Sequence, residues 1–343
     1  MARGWPDVFA TLPVRFDSTG TLPMTSRSEV TPWWRNRRYL PWLVQGAVAL
    51  LVVVVVAFLF TNLLLNLTSR GLLLSWSWLG QPAGFDLAET ILPFDASLPY
   101  WRAMLAGLVN TLRVVITGLV GATVLGTLIG TASFSSNGLL RRLARVYVEV
   151  IRNIPLLLQL MFWYFVVFLA LPNGRDALQL PGLVLAKSGL YLGSPELVDG
   201  VWQAPLRFTV EFGALLTGLV VYSAAFISEV VRGGIASVPK GQWEAATSLG
   251  FSPLLTLRRI VLPQALRVIV PGLNSQYISL AKNSSLAVAC GFTDLYSVSE
   301  TTLNQTGRAV EVMLILLGSY LVIDLVISAL MNGLNGLVQL RER

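Results

Sequence analysis

Few residues of this 343-residue chain are equipped for covalent chemistry. It has no His and a single Cys, Cys290, so histidine general bases, zinc sites and disulfide frameworks are excluded or lack residues. No Gly-x-x-x-x-Gly-Lys-Ser/Thr loop is present to cradle nucleotide phosphates. What remains is a polar set inside an otherwise apolar stretch: Asn274, Ser275, Gln276, Tyr277, Ser279, Lys282, Asn283 and Ser284. Such groups can hold a polar solute without transforming it. Ionisable groups at membrane depth are costly, which makes a functional role the default for Lys282. A packing reading stands beside it, because Ser, Asn and Gln also bond between helices in any membrane bundle. Asp324, the acidic residue well inside the last apolar run, either pairs with a cation such as Lys282 or faces a wet cavity.

A second pattern is built for contact. Glu244-Ala245-Ala246-Thr247-Ser248-Leu249-Gly250 is followed, after nine residues, by Ile260-Val261-Leu262-Pro263. The spacing predicts a short helix over 240–249 with small Ala245 and Ala246 on its surface, and Gly250 supplies the left-handed turn that ends helices. Pro263 marks where a second, apolar helix is bent or begun. A small-residue helix held between two apolar segments is a lever on which a partner can pack closely and push; the plainer reading is a helical connector with no partner.

These residues are carried by a membrane protein. Hydrophobic residues make up 54% of the chain and charged residues 13%, with mean hydropathy +0.67, far too apolar for a soluble domain. Uncharged runs at 39–69, 114–140 and 153–174 each supply the ~20 residues that cross a bilayer core. A fourth run, 212–228, is flanked by Glu211 and Glu229; a fifth begins after Arg267 and contains Pro271 and Lys282; a sixth spans about Val312–Met331. The expectation is an all-α polytopic protein with about six transmembrane helices. The first run is too long for a cleaved signal peptide and reads as a retained span.

Lys and Arg fall unevenly. With the N-terminus inside, the segments 1–40, 134–153, 229–267 and 333–343 hold 17 of the 25, which places both termini and the Glu244 loop in the cytoplasm. The net charge of +7 is thereby explained by topology, with no nucleic-acid partner needed. Arg35, Arg37 and Arg38 anchor a poorly ordered tail at the membrane surface. In the second span Gly118–Ala122 and Gly126–Gly130 are small-xxx-small pairs suited to close helix packing, with a gating hinge as the lesser alternative. Val146, Val150 and Ile154 recur at helical spacing ahead of Pro155, where a helix can kink on entering the bilayer.

The run Ser228-Glu229-Val230-Val231-Arg232-Gly233-Gly234-Ile235, then Val238-Pro239-Lys240-Gly241-Gln242-Trp243-Glu244-Ala245-Ala246, resembles the signature of the permease subunits of bacterial amino-acid ATP-binding-cassette importers. Arg152-Asn153-Ile154-Pro155-Leu156-Leu157 is similar to another recurrent mark of that family, near its translocation path. The resemblance implies a five-helix type I importer permease core over 105–337, preceded by a tail at 1–40, an added helix at 41–67 and a periplasmic loop at 68–104, and followed by a tail at 338–343. It implies that the loop 229–263 carries the coupling helix, with Gly241, Gln242, Glu244, Ala245, Ala246, Gly250, Ile260, Leu262 and Pro263 as the residues that meet a cytoplasmic ATPase dimer. ATP and Mg belong to that partner, and this chain binds no cofactor.

The same resemblance implies location in the bacterial inner membrane, an L-amino-acid substrate delivered by a periplasmic binding protein, alternating access, and a second permease subunit or a second copy of this chain. Asn274, Ser275, Gln276, Tyr277, Lys282, Asn283 and Ser284 are the candidates to line the path. The elaborated loop with Ala83-Gly84-Phe85-Asp86, together with Asn283-Ser284-Ser285-Leu286-Ala287 and Thr301-Thr302-Leu303-Asn304-Gln305-Thr306-Gly307, looks like the branch for general or polar L-amino acids and favours the heteromeric pair. Neutral Gln276 stands where relatives that carry cationic amino acids often have Glu. Two other classes stand beside it: an ion-coupled secondary transporter, which would show internal repeats and more membrane carboxylates, and a non-transporting assembly subunit, which could share the span pattern but would not need the complete Glu244-to-Pro263 spacing.

Overall fold

The computed structural model describes residues 40–69 and 74–339; the tails at 1–39 and 340–343, with Arg35, Arg37 and Arg38, lie outside the described residues. The chain divides into two units at Leu73/Leu74. In the first, helix α1 (Leu40–Ser69) is uncharged over thirty residues and none of its apolar window is buried by the described residues, as suits a helix long and apolar enough to cross a bilayer. Thr68 Oγ1 donates back to the carbonyls of Leu64 and Leu65 at its end, so no polar group of this side chain needs a distant partner.

The second unit begins with an outer cap. A short 3-10 turn, Ser77–Gly80, sets Trp78 edge-on to Tyr100 with ring centres 5.5 Å apart, and the chain returns so that Ala83 N–H donates to Leu98 O at 2.8 Å. Hydrogen bonds from Ser97 hold the exposed Asp95 carboxyl below its ordinary value at the turn. Helix α2 (Tyr100–Ala132) then runs the full thickness of the core. It begins well before the expected 114, because Arg102 and Arg113 do not interrupt it. Its glycine stripe packs on α5 (Val210–Ala236): a Cβ at Gly126 would sit 2.7 Å from Ile227, and one at Gly130 would meet Ser228 O at 2.7 Å. The small-xxx-small pairs therefore serve packing.

Helix α3 (Gly138–Asn153) is capped by the Asn137 side chain, which accepts from Leu139 and Leu140 N–H. It meets α4 (Leu156–Met161) at a 105° bend. Pro155 causes it: the ring drives Ile154 into extended backbone, φ −102 and ψ 126. Gln159 Nε2 donates to the freed carbonyls of Ile151 and Ile154 at 2.8 and 2.9 Å. The helix continues as a π-turn over Phe162–Phe168. The expected span at 153–174 is thus the second limb of a broken helix that starts at 138.

An element absent from the sequence reading follows. Strands β1 (Leu178–Leu180), β2 (Leu183–Ala186) and β3 (Gly189–Leu192) form an antiparallel sheet with β6 (Leu206–Phe208), while β4 (Glu196–Val198) and β5 (Val201–Gln203) form a hairpin. Val184, Ala186 and Tyr191 face a small core with Trp202. The opposite face carries Leu residues at 178, 180, 183, 185, 190 and 192, in register with one another. The molecule remains mostly helical, and its architecture is that of an all-α polytopic protein with a small β appendage.

After α5 come the short helix α6 (Lys240–Ser248) and the turn α7 (Pro253–Thr256). A π-turn, Leu257–Val261, leads into α8 (Leu262–Asn283), and Ser284–Cys290 form a 3-10 segment before α9 (Leu295–Thr306) and α10 (Ala309–Val338). The central core is Ile227, Val231 and Ile235 of α5 against Val261, Ala265 and Ile269 at and beyond the start of α8, with Ile323, Ile327 and Met331 of α10. Among the described residues, four helices (α1, α2, α5, α10) are long and apolar enough to cross a membrane, and five if the bent α3–α4 pair is one span. The expected count of six thus requires α8 as well. Its polar residues from Asn274 to Asn283 lower its apolarity, and those are the residues singled out as candidate path groups.

Candidate coupling loop and translocation path

Pro239 precedes α6 with φ −56, and its carbonyl accepts from Gln242 N–H at 3.0 Å. At the other end Leu249, Gly250 and Phe251 N–H donate to Ala245, Thr247 and Ala246 O. This closure needs Gly250 at φ +78, a conformation that side-chain-bearing residues adopt with strain. The helix is two-sided. Ala246 is 1% exposed, so it faces the protein, in contrast to the expected surface position; one turn along, Trp243 packs on the central core. Gln242 Oε1 accepts from Gln264 Nε2 of α8 at 3.3 Å. Gly241, Glu244, Ala245 and Gly250 face outward. Leu249 and Leu254 beside them are 74% and 75% exposed, an apolar surface that the described residues leave uncovered. Ile260 and Leu262 are half-buried, and Pro263 is exposed in the first turn of α8, where its missing N–H costs nothing.

The path candidates separate by helical phase. Gln276, Lys282 and Asn283 come together with Ser279 on one wall of a cavity of about 320 Å3, and Tyr222, Ser223 and Phe226 of α5 form the other. Tyr277 points elsewhere, its hydroxyl 2.8 Å from Thr123 Oγ1 on α2. Ser284 is buried with its hydroxyl on Ala281 O, and Ser275 bonds Gly272 O; neither lines the cavity, and nor does Asn274, whose Oδ1 is buried with no hydrogen-bond partner. Tyr222 and Phe226 were missed because α5 reads as a uniform apolar span; their i, i+4 spacing beside Ser223 was the available signal.

Lys282 Nζ lies 3.5 Å from Asp324 Oδ2 on α10, so the pairing considered from sequence is present. Asp324 is 16% exposed and Lys282 62%: the carboxylate is largely buried, while much of the lysine side chain stays open beside it. The pair leaves the cavity with no large excess charge, lined by amide, hydroxyl and aromatic groups.

The cavity and the loop are joined by one stretch of backbone. The helices forming the two walls, α5 and α8, are those joined by the segment that contains α6. A force on the outer face of α6 therefore reaches both walls through continuous backbone and through the Trp243 and Gln242 contacts.

Residues 122–339 match the family described as binding-protein-dependent transport system inner membrane component. The chain belongs to this family. It is 37% identical to the putative amino-acid ABC transporter permease protein YhdX of Escherichia coli (strain K12), over 88% of this chain and 95% of that one. It is also 37% identical to the general L-amino acid transport system permease protein AapQ of Rhizobium johnstonii, over 86% of this chain and 92% of that one. Among solved structures it is similar to an amino acid ABC transporter crystallised with histidines, with TM-score 0.53 and 27% identity over 69% of this chain and 94% of that chain. The fold is shared with the MetNI methionine ABC transporter, with TM-score 0.54 and 19% identity over 70% of this chain and 97% of that chain. The protein is accordingly an amino-acid ABC permease subunit of the inner membrane, a transport component and not an enzyme. Membership implies an ATPase partner and a second permease subunit.

Proposed function

We propose that this chain forms half of the pathway of an ATP-driven importer that carries polar or a broad range of L-amino acids from a periplasmic binding protein to the cytoplasm by alternating access. The carrying observation is that α6 joins the two helices that wall the cavity. Closure of a cytoplasmic ATPase dimer, which would hold the ATP and Mg, pushes the face made by Gly241, Glu244, Ala245 and Gly250, and α5 and α8 shift as rigid bodies. In this reading both termini lie in the cytoplasm, which the Lys and Arg distribution supports.

The near-neutral cavity suits zwitterionic substrates with polar side chains, and Gln276 in its wall disfavours strict selection of cationic ones. Two relatives are named for such ranges, AapQ for general L-amino acids and BztB of Rhodobacter capsulatus for glutamate, glutamine, aspartate and asparagine. The resemblance to the general and polar L-amino-acid branch favours a heteromeric permease pair. Family membership favours this reading over an ion-coupled secondary transporter or a non-transporting assembly subunit.

The test is purification of the tagged chain from its native membrane in mild detergent, with mass-spectrometric stoichiometry of what accompanies it. An ATPase with a second, different permease is the expected result. An ATPase with this chain alone makes the permease pair a homodimer, and recovery without any ATPase, under conditions that preserve a known importer, refutes the reading.

A further inference from the structure

A second cavity, of about 510 Å3, lies between α3 and α5. Arg145, Glu149 and Arg152 line it from α3, and Phe226, Glu229 and Arg232 from α5. With three guanidinium groups against two carboxylates its lining is net positive. Arg232 is engaged by Glu229 at 2.8 Å along one helix face, while the Arg152 guanidinium lies over the Phe226 ring, 5.0 Å from its centre. Phe226 is also in the wall of the Lys282 cavity, where its ring packs against Tyr222 at 4.9 Å between centres. One side chain is thus shared by both cavities, held by an aromatic ring of the first and a cation of the second.

We infer that Phe226 is the door between the substrate cavity and a charged vestibule, and that Arg152 is its latch. This rests on the reading of the Lys282 cavity as part of the path. A solute leaving that cavity toward α3 must displace the Phe226 ring. Its α-carboxylate then meets the guanidinium that held the ring, and a carboxylate offers two parallel charge-assisted hydrogen bonds in place of a ring face. The vestibule draws the carboxylate forward, and the ring is released as the latch changes partner. No family relative's name assigns a role to either residue.

The experiment uses the complete complex, this chain with its ATPase and companion permease, in proteoliposomes loaded with a radiolabelled mixture of the protein L-amino acids, and reads efflux without ATP. Phe226→Ala raises efflux about tenfold or more as the closed state loses its barrier. Arg152→Gln raises it about fivefold, on the order of 1 kcal/mol of closed-state stabilisation. The double variant leaks no more than Phe226→Ala alone, because Arg152 acts through the ring; a merely structural Arg152 would add its effect. Phe226→Trp, which keeps a ring under the guanidinium, stays as tight as the parent.

Co-purification of the ATPase certifies each variant's assembly. A tight Phe226→Ala complex, or additive leaks, overturns the door. Lys282→Met and Gln276→Leu separate this from the underlying reading: if both leave ATP-driven uptake at the parental rate the path assignment fails, and if both lower it while Phe226→Ala stays tight only the door is lost.

Discussion

The Glu89 end and the α6 end of this core, outer and inner in the proposed topology, are built on opposite plans. Outside, one carboxylate gathers several elements. Glu89 pairs with Arg113 of α2 and accepts from the N–H and hydroxyl of Thr209, the N-cap of α5. Its own carbonyl accepts from Asn110 Nδ2 at 2.7 Å and Thr293 Oγ1 at 3.0 Å. The Arg113 guanidinium also lies 4.1 Å from the Phe212 ring centre. Inside, α6 is held by Trp243, Ala246 and one amide contact, and Leu249 and Leu254 are left uncovered. Partly buried charge networks fix geometry, whereas an apolar seat with an uncovered outer face can shift and accept a partner. The Glu89 end is therefore built to stay fixed, and the α6 end carries the free surface on which the proposed ATPase would act.

The strongest way to break this contrast is Glu89→Ala. Arg113 is only 14% exposed, and removing its partner leaves a largely desolvated cation, a loss of about 3–5 kcal/mol in detergent-solubilised stability. A thermal-unfolding midpoint equal to the parent's would show that the outer network carries no load. Next in size, Gly130→Val forces a branched side chain against the α5 backbone and costs about 1–3 kcal/mol by overpacking, read as loss of monodisperse protein on size exclusion.

At the inner end the expected stability effects shrink while the functional ones grow. Gly250→Val places a Cβ at φ +78, a strain of about 1–2 kcal/mol, with the site otherwise open to solvent; ATPase co-purification falls more than the melting temperature does. Asp324→Asn costs no more than about 1 kcal/mol, since Lys282 is well exposed, and changes substrate competition in uptake; unaltered assembly and competition would deny the pair a role. Glu244→Lys, at an exposed position, moves stability by less than about 0.5 kcal/mol yet abolishes uptake with membrane insertion intact. Normal uptake by that variant would undo the division between a fixed end and a driven end.

Much of this was legible before any coordinates. The turn chemistry of Pro239 and Gly250 is local, so α6 falls at 240–248 against an expected 240–249. Apolar runs announced α1, α5 and α10 because bilayer thickness sets the length such a run needs. Pro155 announced a kink but not its 105°, which depends on what packs on each limb. The sheet at 178–208 escaped notice because strands of three or four residues give too little alternation to read, and its leucines on one face resemble an ordinary apolar loop.

By itself, the sequence determined the membrane class, because composition acts in sum, and the place of the short helix α6, because turn residues act locally; the family was legible through its motifs over 229–246. It also brought Asp324 forward as a residue that either pairs with a cation such as Lys282 or faces a wet cavity; the structure shows the pairing. Only the tertiary structure decided that Tyr277 turns to Thr123 while Gln276 and Asn283 turn to the cavity, that Ala246 faces inward, and that Tyr222 and Phe226 complete the opposite wall. Helical rotation is the reason: residues one apart lie about 100° apart around a helix, and which direction holds the cavity is set by the packing of α5 against α2 and α8, not by any run of residues read alone.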